Sequence, residues 1–300
     1  MASGIKTVTA TVNGQSYTLT KNSSTGKYEA TITAPSKSSY NNNSGHYYPV
    51  SITATDQAGN TITKNDTDAT LGASLKLRVK EKVAPTVNIT QPSSGTYLST
   101  SLPTIKAQLR DSDSGVDIST LVLKVDGTQV AVAKITSASV SGGYDITYTP
   151  ETALKDGSHT VTITVSDNDG NASTEASTTF TVMTTAPTLS VTSPVANLNT
   201  NNASVTVAGT TNGAKVTVKL DNGTAQEATI SGGNFSKQLT LSAEGEHTIT
   251  VVAANAAGVT SAVTRTLIYD KTAPVISAAT MTPNPVDAGN TYVISITVTD

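Results

Sequence analysis

The residues best suited to chemistry in this chain are carboxylates near its middle. Asp111, Asp113 and Asp117 fall in the stretch Asp111-Ser-Asp-Ser-Gly-Val-Asp117, and Asp167 and Asp169 in Asp167-Asn-Asp-Gly170. Carboxylates gathered at one end of a domain repel one another unless a cation bridges them, and oxygen ligands at alternating loop positions suit a hard ion such as Ca²⁺. The same residues also make good turns, because Asp and Asn side chains bond the backbone two residues on and tolerate left-handed conformations. Two readings follow: a Ca²⁺ site at Asp111, Asp113, Asp117, Asp167 and Asp169, or plain turns. Neither requires a cofactor.

A second candidate is the segment from Ser38 to Tyr48, where Tyr40 and Tyr47 flank a run of Asn, Ser and Gly. Tyr, Asn, Ser and Gly are the residues of adaptable recognition loops, so Tyr40 and Tyr47 are candidate contacts to a cell-surface glycan or protein. The alternative is an ordinary long connection with Tyr48 in the core. His159 and His247 occupy equivalent places before a core strand, where Tyr48 stands in the first part of the chain, and a structural role is expected of them. His46 sits in the Asn-rich loop. No Ser-His-Asp constellation, phosphate-binding glycine loop or zinc spacing is present, and the chain reads as non-enzymatic.

The elements that carry these residues are strands. In His159-Thr-Val-Thr-Ile-Thr-Val-Ser-Asp167 apolar and hydroxyl residues alternate strictly, and His247-Thr-Ile-Thr-Val-Val-Ala-Ala-Asn255 and Tyr48-Pro-Val-Ser-Ile-Thr-Ala-Thr-Asp56 repeat the pattern. Period 2 buries Val161, Ile163 and Val165 and turns the threonines to water. Hairpin turns are expected at Asn13-Gly14, Asp126-Gly127 and Asn222-Gly223, since these pairs accept positive φ. A glycine turn before an aromatic follows each (Tyr28, Tyr144, Phe235), and the aromatic is expected in the core.

Val83-Ala-Pro85, Thr185-Ala-Pro187 and Thr272-Ala-Pro274 recur at about the length of a small β-sandwich and mark domain starts. Taken together, the order of Ala-Pro, paired strands, Asp-Gly hairpin, Gly-aromatic and the phrase from Asp156 to Asn171 resembles the bacterial immunoglobulin-like repeats of phage tail proteins and surface adhesins. The resemblance implies an all-β fold of tandem immunoglobulin-like β-sandwiches in an elongated array. It leaves function open, since one sandwich serves stalks, decorations and receptor binders alike.

The expected domains are 1–82, lacking its first two strands, the complete sandwiches 83–183 and 184–271, and 272–300, which supplies the first two strands of a further domain. Two explanations stand side by side: an array cut at equivalent points, or head-to-tail self-association in which 273–300 of one molecule completes the first domain of the next.

Composition bounds the rest. Charged residues are 14% of the chain, the net charge is −3, and there is neither Cys nor Trp. No basic run offers a footprint for nucleic acid, no apolar run spans a bilayer, and stability must come from packing without disulfides. The segment Met1-Ala2-Ser3-Gly4-Ile5-Lys6 lacks the apolar core of a signal peptide. The expected setting is a virion tail or a bacterial cell surface, the expected partners surface glycans or proteins or other virion proteins.

Overall fold

The computed structural model describes residues 3–300, and almost all its regular structure is β; the exceptions are 3₁₀ turns at Gly72–Leu75 and Val132–Lys134. The chain divides into two compact units, Met1–Val182 and Met183–Asp300.

The first unit holds two repeats. The second of them is a two-sheet sandwich. One sheet runs in the order Thr128–Gln129, Val116–Val125, Gly157–Asp167, Ala176–Val182, Thr96–Leu98, and the other Thr136–Val140, Gly143–Tyr148, Ile105–Arg110, Thr86–Gln91. All pairings are antiparallel except that of Thr96–Leu98 with Ala176–Val182. The alternation in Gly157–Asp167 does what its period demands: Val161, Ile163 and Val165 point inward and are buried, while Thr160, Thr162 and Thr164 are only partly covered. They meet Ile105, Leu109, Leu123, Ile146 and Phe180 from both sheets. Each such side chain contributes about 1.5–3 kcal/mol by leaving water. Asp126 (φ +50°) and Gly127 (φ +77°) form the expected hairpin turn.

The first repeat differs. Its strands form one sheet, in the order Tyr28–Glu29, Gln15–Lys21, Ile5–Val12, Tyr48–Asp56, Thr61–Lys64, with Lys76–Leu77 pairing Tyr48 and Pro49. Among the described residues it has no second sheet. Val8, Ala10, Val12 and Tyr48 are buried, but Val50 and Ile52 are only half-buried, whereas Val161 and Ile163 at the same places in the complete repeat are fully covered.

The second unit repeats the two-sheet sandwich. Leu189–Ser193, Ser204–Thr211, Asn234–Thr240 and Thr229–Ser231 form one sheet, and Leu198–Thr200, Thr260–Tyr269, Gly245–Ala254, Lys215–Leu220 and Gln226–Glu227 the other. Phe235, Val207, Ile249, Val251 and Leu267 lie in its core. Beyond it, Val275–Thr282 and Val293–Thr299 form a two-stranded hairpin whose residues are all exposed.

Two expectations about local structure are corrected. The third tight turn sits at Asp221 (φ +49°) and not at Asn222-Gly223, because the Asp221 side chain is needed to bind the neighbouring strand. Of the three aromatics expected in the core, Phe235 alone is fully buried; Tyr28 and Tyr144 are half-buried, and in the second repeat Phe180 fills the core instead.

Candidate cation site at the first repeat junction

Asp111 ends the strand Ile105–Arg110, and Asp167 ends Gly157–Asp167, so both stand at the same end of the second repeat, where the first repeat joins it. Each carboxylate organises its own loop. Asp111 Oδ1 accepts from the backbone N–H of Asp113 (3.0 Å) and Gly115 (2.7 Å). Asp167 Oδ1 accepts from the N–H of Asp169 (2.9 Å) and Asn171 (2.8 Å). These are the turns that Asp favours by bonding the backbone just ahead of it.

The linker brings in a third carboxylate. Glu81 accepts from Ser114 Oγ (3.2 Å), from Asn171 Nδ2 (3.3 Å) and from the N–H of Val83. Glu81, Asp111 and Asp167 are 8%, 7% and 2% exposed. One oxygen of each lies within 4.8 Å of those of the other two. Among the described residues none of the three forms an ion pair.

Three buried carboxylates this close cannot all hold charge cheaply. Burial pushes the Glu81 carboxyl up from its ordinary value, and the hydrogen bond to Asp167 and the charges of Asp167 and Asp111 push it further. Burial also opposes the charge on Asp167, but hydrogen bonds from Glu81, Asn171 and backbone N–H groups outweigh it and hold that carboxyl low. Of the two, Glu81 therefore holds a shared proton more tightly than Asp167. An all-oxygen donor set with no nitrogen or sulfur is also what a hard divalent cation takes, and a cation there replaces that proton.

The other expected ligands do different work. Asp113 Oδ1 accepts from the N–H of Ser38 (3.1 Å), and its carbonyl accepts from Asn41 Nδ2. Asp169 Oδ2 accepts from the N–H of Glu81 (2.9 Å), and its carbonyl from Lys80 Nζ (2.9 Å). Asp113 and Asp169 thus tie the first repeat to the second. Asp117 is not brought to the trio: its Oδ1 accepts from Ser119 N–H (3.0 Å) and Ser119 Oγ (2.6 Å). Glu81 and Asn171 escaped the sequence reading because a single Glu between Lys80 and Lys82 looks like solvated linker. Their signal is position, immediately ahead of Ala84-Pro85 and at the end of the acidic loop.

The Tyr/Asn segment lies at the same junction. Tyr40 stacks on His46 (4.1 Å, 12°), and both line a small cavity with Arg78, Lys80, Asn168 and Asp169. Tyr47 is pinned, its hydroxyl donating to Asp66 Oδ2 (2.9 Å) and its ring lying 4.9 Å from Lys76 Nζ. Among the described residues, His159 and His247 bond an aspartate and a backbone carbonyl and no serine. His159 Nδ1 faces Asp126 and its Nε2 faces the Lys155 carbonyl, so neither nitrogen is left for a nucleophile.

Among the described residues, the equivalent place in the second unit has no such cluster. Asn255 stands where Asp167 does and donates from Nδ2 to the carbonyls of Met183 (3.3 Å) and Thr185 (3.0 Å). Counting back from Pro187 and Pro85, Met183 holds the place of Glu81. That repeat closes with an amide and backbone carbonyls, so the sandwich fold does not by itself call for the acidic trio.

Two family models match parts of the chain, and the first of them agrees with the fold. Residues 85–163 match the bacterial Ig domain family, and residues 187–271 match domain B of glucodextranase. Among solved structures, the fibronectin(III)-like modules of Clostridium thermocellum CbhA are 18% identical (TM-score 0.41), covering 62% of this chain and 94% of theirs. A tetra-tandem repeat from the extending region of a large adhesion protein is 16% identical (TM-score 0.34), covering 99% and 81%. Titin domains I67–I69 are 12% identical (TM-score 0.38), covering 89% and 88%. No curated protein matches the chain.

Proposed function

We propose that this chain, a run of bacterial immunoglobulin-like repeats, is a non-enzymatic spacer and surface-binding component whose first junction is stiffened by Ca²⁺ held by Glu81, Asp111 and Asp167. The observation that carries the reading is the burial of three carboxylates, from the linker and two loops of the next repeat, within 4.8 Å of one another. A bridging cation removes their repulsion and fixes the linker to the repeat that follows. Isothermal titration of the chelator-treated chain with Ca²⁺ tests it: one binding event, lost in Glu81→Gln, is expected, and no heat at millimolar Ca²⁺ overturns it.

The biological setting we propose is a phage tail or similar virion appendage, with the stalk of a secreted bacterial adhesin as the rival. Neighbouring tail and lysis genes favour the first, and a longer gene with export and anchoring signals the second. Partners are surface glycans or proteins, through the junction segment that carries Tyr40 and Tyr47.

Association of copies through 273–300 is a second reading, favoured by one observation. The exposed hairpin pairs Ile276 with Val298 and Met281 with Ile294, giving it an apolar face like that of the pair Thr86–Gln91 and Ile105–Arg110, which covers the core of the second repeat. The half-covered face at Val50 and Ile52 in another copy is what it would cover. Light scattering that finds a monomer at high concentration, with or without 273–300, overturns this.

A further inference from the structure

Each complete repeat contains the same three-part corner. In the second repeat, Asp126 at the hairpin turn accepts from Thr160 N–H through Oδ1 (2.9 Å) and lies 2.7 Å from His159 Nδ1 through Oδ2. The other ring nitrogen, His159 Nε2, is 2.7 Å from the carbonyl of Lys155 in the preceding loop. In the third repeat Asp221 accepts from Thr248 N–H (2.8 Å) and lies 2.8 Å from His247 Nδ1, while His247 Nε2 is 2.9 Å from the Ala243 carbonyl. Both histidines are buried, 9% and 7% exposed.

A carboxylate and a carbonyl only accept hydrogen bonds, so a ring between them needs a proton on both nitrogens. A neutral imidazole has one N–H. It keeps the bond to the aspartate and sets a bare Nε2 lone pair against a carbonyl oxygen at hydrogen-bond distance, which pushes the loop away. The corner is satisfied only by the imidazolium.

We propose that His159 with Asp126, and His247 with Asp221, are proton-operated clasps, each fastening a hairpin turn and the loop before a core strand to that strand when the ring is protonated and releasing the loop when it is not. The first repeat has no imidazole at this place: Tyr48 takes the histidine's position and donates its hydroxyl to the Lys37 carbonyl (3.3 Å), and Asn13 (φ +48°) takes the aspartate's position in the turn. A chain with two switched repeats and one unswitched carries its own control.

The groups facing each ring agree with this. Around His159 they are Asp126, the Lys155 carbonyl and the tilted ring of Phe180 across the sheet (5.7 Å). Around His247 they are Asp221, the Ala243 carbonyl and Leu267 across the sheet. Of the carboxylates beside it in sequence, Glu244 accepts from Lys271 N–H and Thr272 Oγ1, and Glu246 lies on the opposite face of the strand and is exposed. Among the described contacts, the carboxylate hydrogen-bonded to each ring is that of Asp126 at His159 and of Asp221 at His247. Burial opposes the charge on His159, but the bonds to Asp126 and Lys155 outweigh it; at His247 the bond to Asp221 dominates, and both rings are held above their ordinary value.

The test is an NMR titration of the three histidine rings in the full chain, with amide exchange measured in the loops at 154–157 and 242–245. Two rings titrating above about 6.5, with loop exchange accelerating through the same pH range, is the expected result. Asp126→Asn should bring the His159 titration down and leave His247 unmoved. His159→Tyr, which installs the residue of the first repeat, should remove the pH dependence of the 154–157 loop alone. Rings that titrate at or below about 6.5, or loop exchange that ignores their titration, overturn the proposal.

Discussion

Asn171 donates from one amide nitrogen to two carboxylates at once, 2.7 Å to Asp167 Oδ2 and 3.3 Å to Glu81 Oε1. It holds linker and loop face to face, so the charge state of that pair is coupled to the joint between the repeats. A proton shared by the pair relieves its repulsion at the joint, and a cation bound there would do the same.

Metal removal is therefore expected to loosen the first unit. At free Ca²⁺ a hundred times the dissociation constant, binding to the folded form alone adds about 2.7 kcal/mol. Calorimetry of the full chain should show the transition that involves residues 81–182 shifted upward by Ca²⁺ and returned by chelator, with that of residues 183–271 unmoved. Glu81→Gln should melt at one temperature under both conditions. A chelator titration that leaves every transition in place removes the site.

The metal-free chain has a pH dependence of definite sign. Glu81 has a higher pKa folded than unfolded, so between those values the native state binds more protons and stability falls as pH rises. The contribution is complete below the ordinary Glu value of about 4.5 and is lost as pH passes the raised one. Urea midpoints with chelator should decline through that window in the wild type and stay flatter in Glu81→Gln. Excess Ca²⁺ should suppress the decline, because the ion binds the deprotonated form.

Much of this was legible in the residues, and the remainder had physical reasons to be hidden. The alternation of Val161, Ile163 and Val165 reports burial directly, because side-chain direction in a strand has period 2. Asp111 and Asp167 were visible as loop carboxylates. Which carboxylates converge depends on where the linker crosses the loops, a tertiary fact that neither Glu81 nor Asp117 signals locally. Asp221 was missed as a turn residue because Asn222-Gly223 is the stronger local hairpin signal, and the side-chain bond to Thr248 overrides it.

Close strand approach excludes a side chain at Gly209. A Cβ on Gly209 would lie 1.9 Å from the Ser190 carbonyl oxygen and 2.8 Å from the Phe235 ring, in a backbone conformation that any residue adopts. The cost is thus pure overpacking between two paired strands and a buried aromatic, about 3 kcal/mol at the upper end of such substitutions. Gly127→Ala is the comparison, since there the space is open and only the positive φ is strained. Urea denaturation should place Gly209→Ala well below Gly127→Ala in stability.

Recognition by the junction segment separates from its structural work. Tyr47 holds Asp66 through its hydroxyl and sits beneath Lys76, while the Tyr40 ring stacks on His46. Replacing Tyr47 with Phe keeps the ring and loses the bond to Asp66, so its effect should fall on the stability of the first repeat and spare binding. Tyr40→Ser removes the stacked ring that lines the cavity beside Arg78 and Lys80, so its effect should fall on binding. Sedimentation of the chain with purified bacterial cell walls is the measurement. Weaker capture by Tyr40→Ser, with the Tyr47→Phe variant captured like the wild type, is the expected pattern, and equal capture of all three ends the recognition reading.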